Sequence, residues 1–212
     1  MQRKQSLLTF LLLLSSFALI LIAQEEELPK AGRYRIVPEE SKLEIHVGTA
    51  GVFGFMGHGH TMVPKVFTGE VDLNPQNPVT ATVTLRIDAK SLHETAEFKP
   101  DEKATIEKQL HQEVLETTRY PEITFQSTAF RYTRSPGHVF DAQIEGDLTL
   151  HGVTKKITVP ARILDTGPNL RVSGEVKIDR REYNIEPKAA AGGTVKVDKT
   201  LEVSFDLVLL QH

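Results

Sequence analysis

No cysteine occurs among the 212 residues. That excludes disulfide bonds, thiolate zinc sites and a lipid-modified N-terminal cysteine. Excess positive charge is missing as well. The 25 Lys and Arg face 28 Asp and Glu, and the formal net charge is −3. A nucleic-acid partner wants a basic face, so none is expected. Signs of catalysis are equally sparse. Ser127 and Ser204 stand in plain strand context, without the sharp elbow that activates a serine nucleophile. Gly192 and Gly193 precede a strand pattern rather than a helix, which excludes a phosphate loop. The acidic run Glu25 to Glu27 lies in a polar lead, away from any pattern of a site. No enzymatic activity is expected.

One long, mainly apolar run is present, from Leu7 to Ala23. Its 17 residues are short for a spanning helix, which needs about 20. Arg3 and Lys4 precede it and a polar segment, Gln24 to Gly32, follows. Positive end, greasy middle and polar start form the order of a secretory signal, with cleavage expected after Ala23. Its removal takes two positive charges and no negative one, so the net charge moves from −3 to −5. The expected organisation is a signal peptide over 1–23, a polar lead over 24–32 and one domain over 33–212. The expected location is the periplasm or the exterior.

What fills the domain is alternation. In "VTATVTLRID", Val79, Ala81, Val83, Leu85 and Ile87 point one way, while threonines, Arg86 and Asp88 point the other. A period of two in β-branched residues marks a half-buried strand. Similar patterns begin at Tyr34, Lys42, Val66, Glu122, Val139, Lys155, Leu170 and Thr200. Turn residues separate them, as at Asn74, Ser135, His151 and Thr166. Eight or nine strands with short connections favour antiparallel pairing. One segment differs. Residues 101–118 carry Ile106, Leu110, Val114 and Leu115 at helical spacing, with Asp101 placed to cap the start. The expected fold is all-β, an antiparallel barrel of about eight strands with one amphipathic helix covering an end. Such a barrel is just wide enough to fill with side chains or to hold one slender ligand.

Histidines offer a different reading. His58 and His60 are two apart in "GHGH", and His46 could join them from a neighbouring strand. Imidazole suits transition metals. No carboxylate stands nearby at a recognisable spacing, and catalytic zinc usually takes three protein ligands. The alternative functions are therefore a histidine-based metal binder and a filled barrel that serves as an interaction module. His58 is expected instead to pin its turn or meet a ligand head group, and His151 to cap a tight hairpin.

Five motifs in order carry a resemblance. They are Tyr34-x-Ile36-x-Pro38-x-x-Ser41, Gly57-His58, the helix after Pro100, Pro121-x-x-x-Phe125-x-Ser127, and Leu148 to Thr154. Together with the run from Tyr183 they resemble the YceI-like family of secreted, lipocalin-like, polyisoprenoid-binding proteins. The likeness covers about residues 33 to 209. It departs from the family at Tyr183 and Asn184, where Phe and Gly are usual, which implies a smaller and more polar pocket end.

The resemblance implies an internal apolar channel that binds an isoprenoid lipid or a quinone, for carriage or storage in the bacterial envelope, with no further cofactor. The inward face should include Phe67, Val71, Val83, Leu85, Phe125, Ile144, Leu148, Val176 and Phe205. Phe53 and Phe55 lie in a glycine-rich segment suited to gate or plug a pocket. Arg180 and Tyr183, with His58, are the expected polar contacts of a head group. A sheet edge or the helix offers a surface for a homodimer or for an envelope or membrane partner protein.

Overall fold

The computed structural model describes residues 28–50, 59–77, 80–186 and 196–212. The signal-like segment, and with it Leu7 to Ala23, lies outside them, as do Phe53, Phe55 and His58. Among the described residues no helix is long and apolar enough to cross a membrane.

Eight strands close a barrel. In chain order they are β1 (Gly32–Ile36), β4 (Phe67–Leu73), β5 (Thr82–Asp88), β7 (Glu122–Ser135), β8 (Val139–Leu150), β9 (Val153–Asp165), β10 (Asn169–Asp179) and β11 (Lys196–Gln211). Each pairs antiparallel with the next, and β11 returns to β1 to complete the ring. Three more strands, β2 (Lys42–Ala50), β3 (His60–Pro64) and β6 (Leu92–Glu94), extend the wall beside the first half of β11. All nine expected strands are present. β3 and β6 were not legible, because five and three residues are too few to show a period.

The closure depends on a kink. β1 and β2 both lie along one edge of β11, separated by a short turn over Pro38–Glu40. Proline presets φ there and has no N–H to lose. The Ser41 hydroxyl donates to the Val37 carbonyl at 2.7 Å and accepts from the Val208 amide at 3.0 Å. The ladder therefore stays satisfied across the break. A second irregularity sits in β7, where the register shifts between Ser127 and Ala129. The Ser127 hydroxyl accepts the Val83 amide at 2.7 Å. A bulge of this kind bends a strand and sharpens its twist. Both serines thus curve the wall.

The helix α1 (Pro100–Gln109) is shorter than expected. Pro100 opens it, and Glu102 reaches back to accept the Lys99 amide at 3.2 Å. Asp101 lies within the first turn rather than capping it. A π-helical turn over Leu110–Val114 continues it, and Glu116, with φ of 44°, ends it. That left-handed residue reverses the chain before Thr118 is reached. Ile106, Leu110 and Val114 are half-buried against the main core, and Leu115 is buried in it. The helix packs on β6, where Glu107 accepts the Glu94 amide at 3.1 Å.

Candidate functional site

An apolar cavity of about 190 Å³ runs inside the barrel. It is lined by Val71, Val83, Leu85 and Phe125 from one side of the ring. Ile144, Leu148, Val176 and Phe205 line the other. These are eight of the nine residues expected on the inward face. Ile36, Ile45, Ile157, Val172, Val203 and Leu207 add to the lining beyond the expected set, and each follows the same alternation. The ninth, Phe67, also faces inward, directly opposite Ile87, but it is covered by Leu43 and Ile87, which line the cavity, and does not line it itself.

The lining keeps some accessible surface although it faces inward. Val83, Leu85, Val176, Val203 and Phe205 are all half-buried. In a packed core such residues would be fully covered. A cavity of about 150 Å³ lined by Leu, Ile and Phe stays dry and takes up benzene in another protein. Scaling by about 24 cal/mol per Å³, an empty space of this size costs about 4–5 kcal/mol, which hydrocarbon would offset on entering.

Glycine permits one close approach in the wall. A side chain on Gly146 would strike the Phe125 ring and the Gln126 carbonyl from β7. The bare backbone lets Phe125 lie flat across the strand and still reach the lumen.

The expected polar contacts are placed differently. Arg180 donates Nε to the Asp198 carbonyl at 2.8 Å, Nη1 to Ile185 at 2.6 Å and Nη2 to Val197 at 3.1 Å. Its guanidinium thus ties the end of β10 to the start of β11 rather than facing the lumen. Tyr183 is 1% exposed and does not line the cavity. Its hydroxyl has no partner among the described residues, and burial pushes its pKa up to about 12. Asn184 takes φ of 56°, a left-handed conformation that Gly and Asn adopt most readily.

His151 does more than cap its turn. It occupies the hairpin between β8 and β9 with φ of 50°, beside Gly152 at 73°. Its Nδ1 bonds the Tyr183 carbonyl and its Nε2 the Glu116 carboxylate, both at 3.1 Å. The Tyr120 ring packs edge-on against it at 4.5 Å. One imidazole therefore joins the hairpin, the exit of the helix and the turn after β10.

His46 and His60 do not converge. Thr61 pairs with His46 and Val47 with His60, so the two imidazoles leave opposite faces of the sheet. Among the described residues no group of three His, Asp or Glu could hold a metal ion. His60 is instead bonded to Glu94, whose Oε2 lies 2.8 Å from Nδ1. That pairing could not be read from the sequence, because 34 positions separate the partners.

Fold and interior define a class: a closed, antiparallel eight-stranded barrel around an apolar lumen. Within that class the chain belongs to the YceI-like family, whose domain model matches residues 34–209. It is similar to Protein YceI of Shigella flexneri, with 29% identity over 172 residues covering 78% of each chain. A crystal structure of BcnA from Burkholderia cenocepacia shares the fold, with a TM-score of 0.64 at 19% identity, over 82% of this chain and 98% of that one. A polyisoprenoid binding domain from Saccharophagus degradans, implicated in plant cell wall breakdown, gives 0.63 at 16%, over 84% and 98%.

Proposed function

We propose that the barrel binds the hydrocarbon chain of an isoprenoid lipid or quinone in its lumen and carries or stores it in the bacterial cell envelope, without catalysing a reaction. The observation that carries this reading is the apolar cavity inside a closed ring of strands. Each methylene moved from water into such a lining gains about 0.8 kcal/mol. The space of about 190 Å³ is below the ~300–1,000 Å³ of a usual small-molecule pocket. It suits a slender chain better than a bulky ring system, so a head group belongs at an end. The polyisoprenoid-binding relative of the same fold supports the ligand class. The signal-like start supports an envelope location.

The test is mass spectrometry of an organic extract from protein purified out of its native envelope. A prenyl lipid or prenylated quinone near one per chain is expected. Empty protein, or protein with a tightly held metal and no lipid, would overturn the reading. N-terminal sequencing of the same material checks the expected cut after Ala23.

A further inference from the structure

We infer that His60, held by the buried carboxylate of Glu94, is a hydrogen-bond acceptor at the polar end of the lumen and selects a ligand whose hydrocarbon chain ends in a hydroxyl. This rests on the lumen being the lipid site.

Strand register supplies the position. Leu43 and Ile45 of β2 line the cavity. Across the next ladder Ile45 faces Met62 and Val47 faces His60. Across the one after, Met62 faces Glu94. Directly opposed residues share a face of the sheet, and so do residues two apart on one strand. His60, Met62 and Glu94 therefore share the sheet face of Ile45 and continue it beyond the residues that line the cavity. His60 lies two residues beyond Met62 toward the end where the helix packs on β6.

Chemistry supplies the role. The Glu94 side chain is 0% exposed. Its Oε1 accepts the Thr61 amide at 3.0 Å and the Ala96 amide at 2.9 Å, and its Oε2 meets His60 Nδ1 at 2.8 Å. A second carboxylate, Glu107, accepts the Glu94 amide. A carboxylate can only accept, so Nδ1 carries the hydrogen. In the neutral ring the lone pair then sits on Nε2. Phe98 stacks on the imidazole at 5.5 Å and fixes its plane, while a quarter of the side chain stays accessible. An oriented acceptor beyond a hydrocarbon lining rewards a terminal O–H. A carbonyl or a bare hydrocarbon offers no donor. A dyad that only braced β3 against β6 would be indifferent to the ligand's end.

The test compares geranylgeraniol, the matching hydrocarbon without oxygen, and geranylgeranial, each displacing a fluorescent lipid from the full chain. Wild-type protein should prefer the alcohol to the hydrocarbon by about tenfold, the worth of one hydrogen bond. His60→Phe keeps the stack on Phe98 and should erase that preference while hydrocarbon affinity stays. Glu94→Gln keeps an oxygen for the two amides but presents N–H to Nδ1. The tautomer should then reverse, and the aldehyde should gain on the alcohol. Nitrogen-15 NMR of the wild-type imidazole needs no variant: Nε2 should respond to the alcohol and not to the hydrocarbon. Equal affinity for all three probes, or an unresponsive Nε2, overturns this inference and leaves the lumen intact. Failure of every probe to bind overturns the lumen reading with it.

Discussion

Leu85→Trp separates a hollow barrel from a filled one. Leu85 lies in β5 between Gly69 of β4 and Phe125 of β7, is half-buried, and lines the cavity. In a filled interior the larger ring would overpack its neighbours and cost about 1–3 kcal/mol. Here it meets a void whose emptiness already costs about 4–5 kcal/mol. The ligand-free variant should therefore match or exceed wild-type stability, by up to about 1–2 kcal/mol, in proportion to the space filled. Affinity for a long prenyl chain should fall at least about tenfold, since the indole removes room for two or more methylenes at about 0.8 kcal/mol each. Urea unfolding reads the first quantity and ligand titration the second. The chain has no tryptophan, so the introduced indole reports both by its own fluorescence. A variant that loses about 1–3 kcal/mol yet takes up the same lipid with unchanged affinity would refute the reasoning.

Other perturbations address the frame around the lumen. Gly146→Ala should destabilise the protein by about 1–3 kcal/mol in urea, because the added methyl meets the Phe125 ring and a β7 carbonyl. Arg180→Lys should cost about 1.5–3 kcal/mol, as an ammonium cannot span the three carbonyls that the guanidinium serves, while ligand preference stays as in wild type. Asp179 has its pKa lowered to about 2, first by the hydrogen bond from Arg181. A depressed folded-state value contributes stability above the usual carboxylate range and loses it as pH falls toward 2. An NMR titration should place its midpoint there, and Arg181→Ala should move that midpoint upward. A midpoint unmoved by the substitution would remove the ion pair as the cause.

Much of the wall was legible in the residues themselves. Alternation is a property of neighbours along the chain, so it marks strands and assigns each side chain to one of two faces. That is why Val83, Leu85 and Phe125 could be set on the inner face before any pairing was known. Helical spacing likewise announced the stripe of Ile106, Leu110 and Val114, though not the π-turn or the left-handed Glu116 that shorten the element. Arg180 and Tyr183 are polar and cluster beside a strand end, which in the sequence alone points toward a ligand. Their true surroundings, three carbonyls for one and a buried pocket for the other, come from segments that meet only on folding.

Strand positions, their buried faces and the polar or apolar nature of each face followed from the chain alone, because these depend on spacing of a few residues. Whether opposing inner faces touch or stand apart depends on how many strands close the ring and how they stagger, which no local pattern records. The lumen was decided by that closure, and the meeting of His60 with Glu94 by the long-range ladder of β3 with β6 beside the ring.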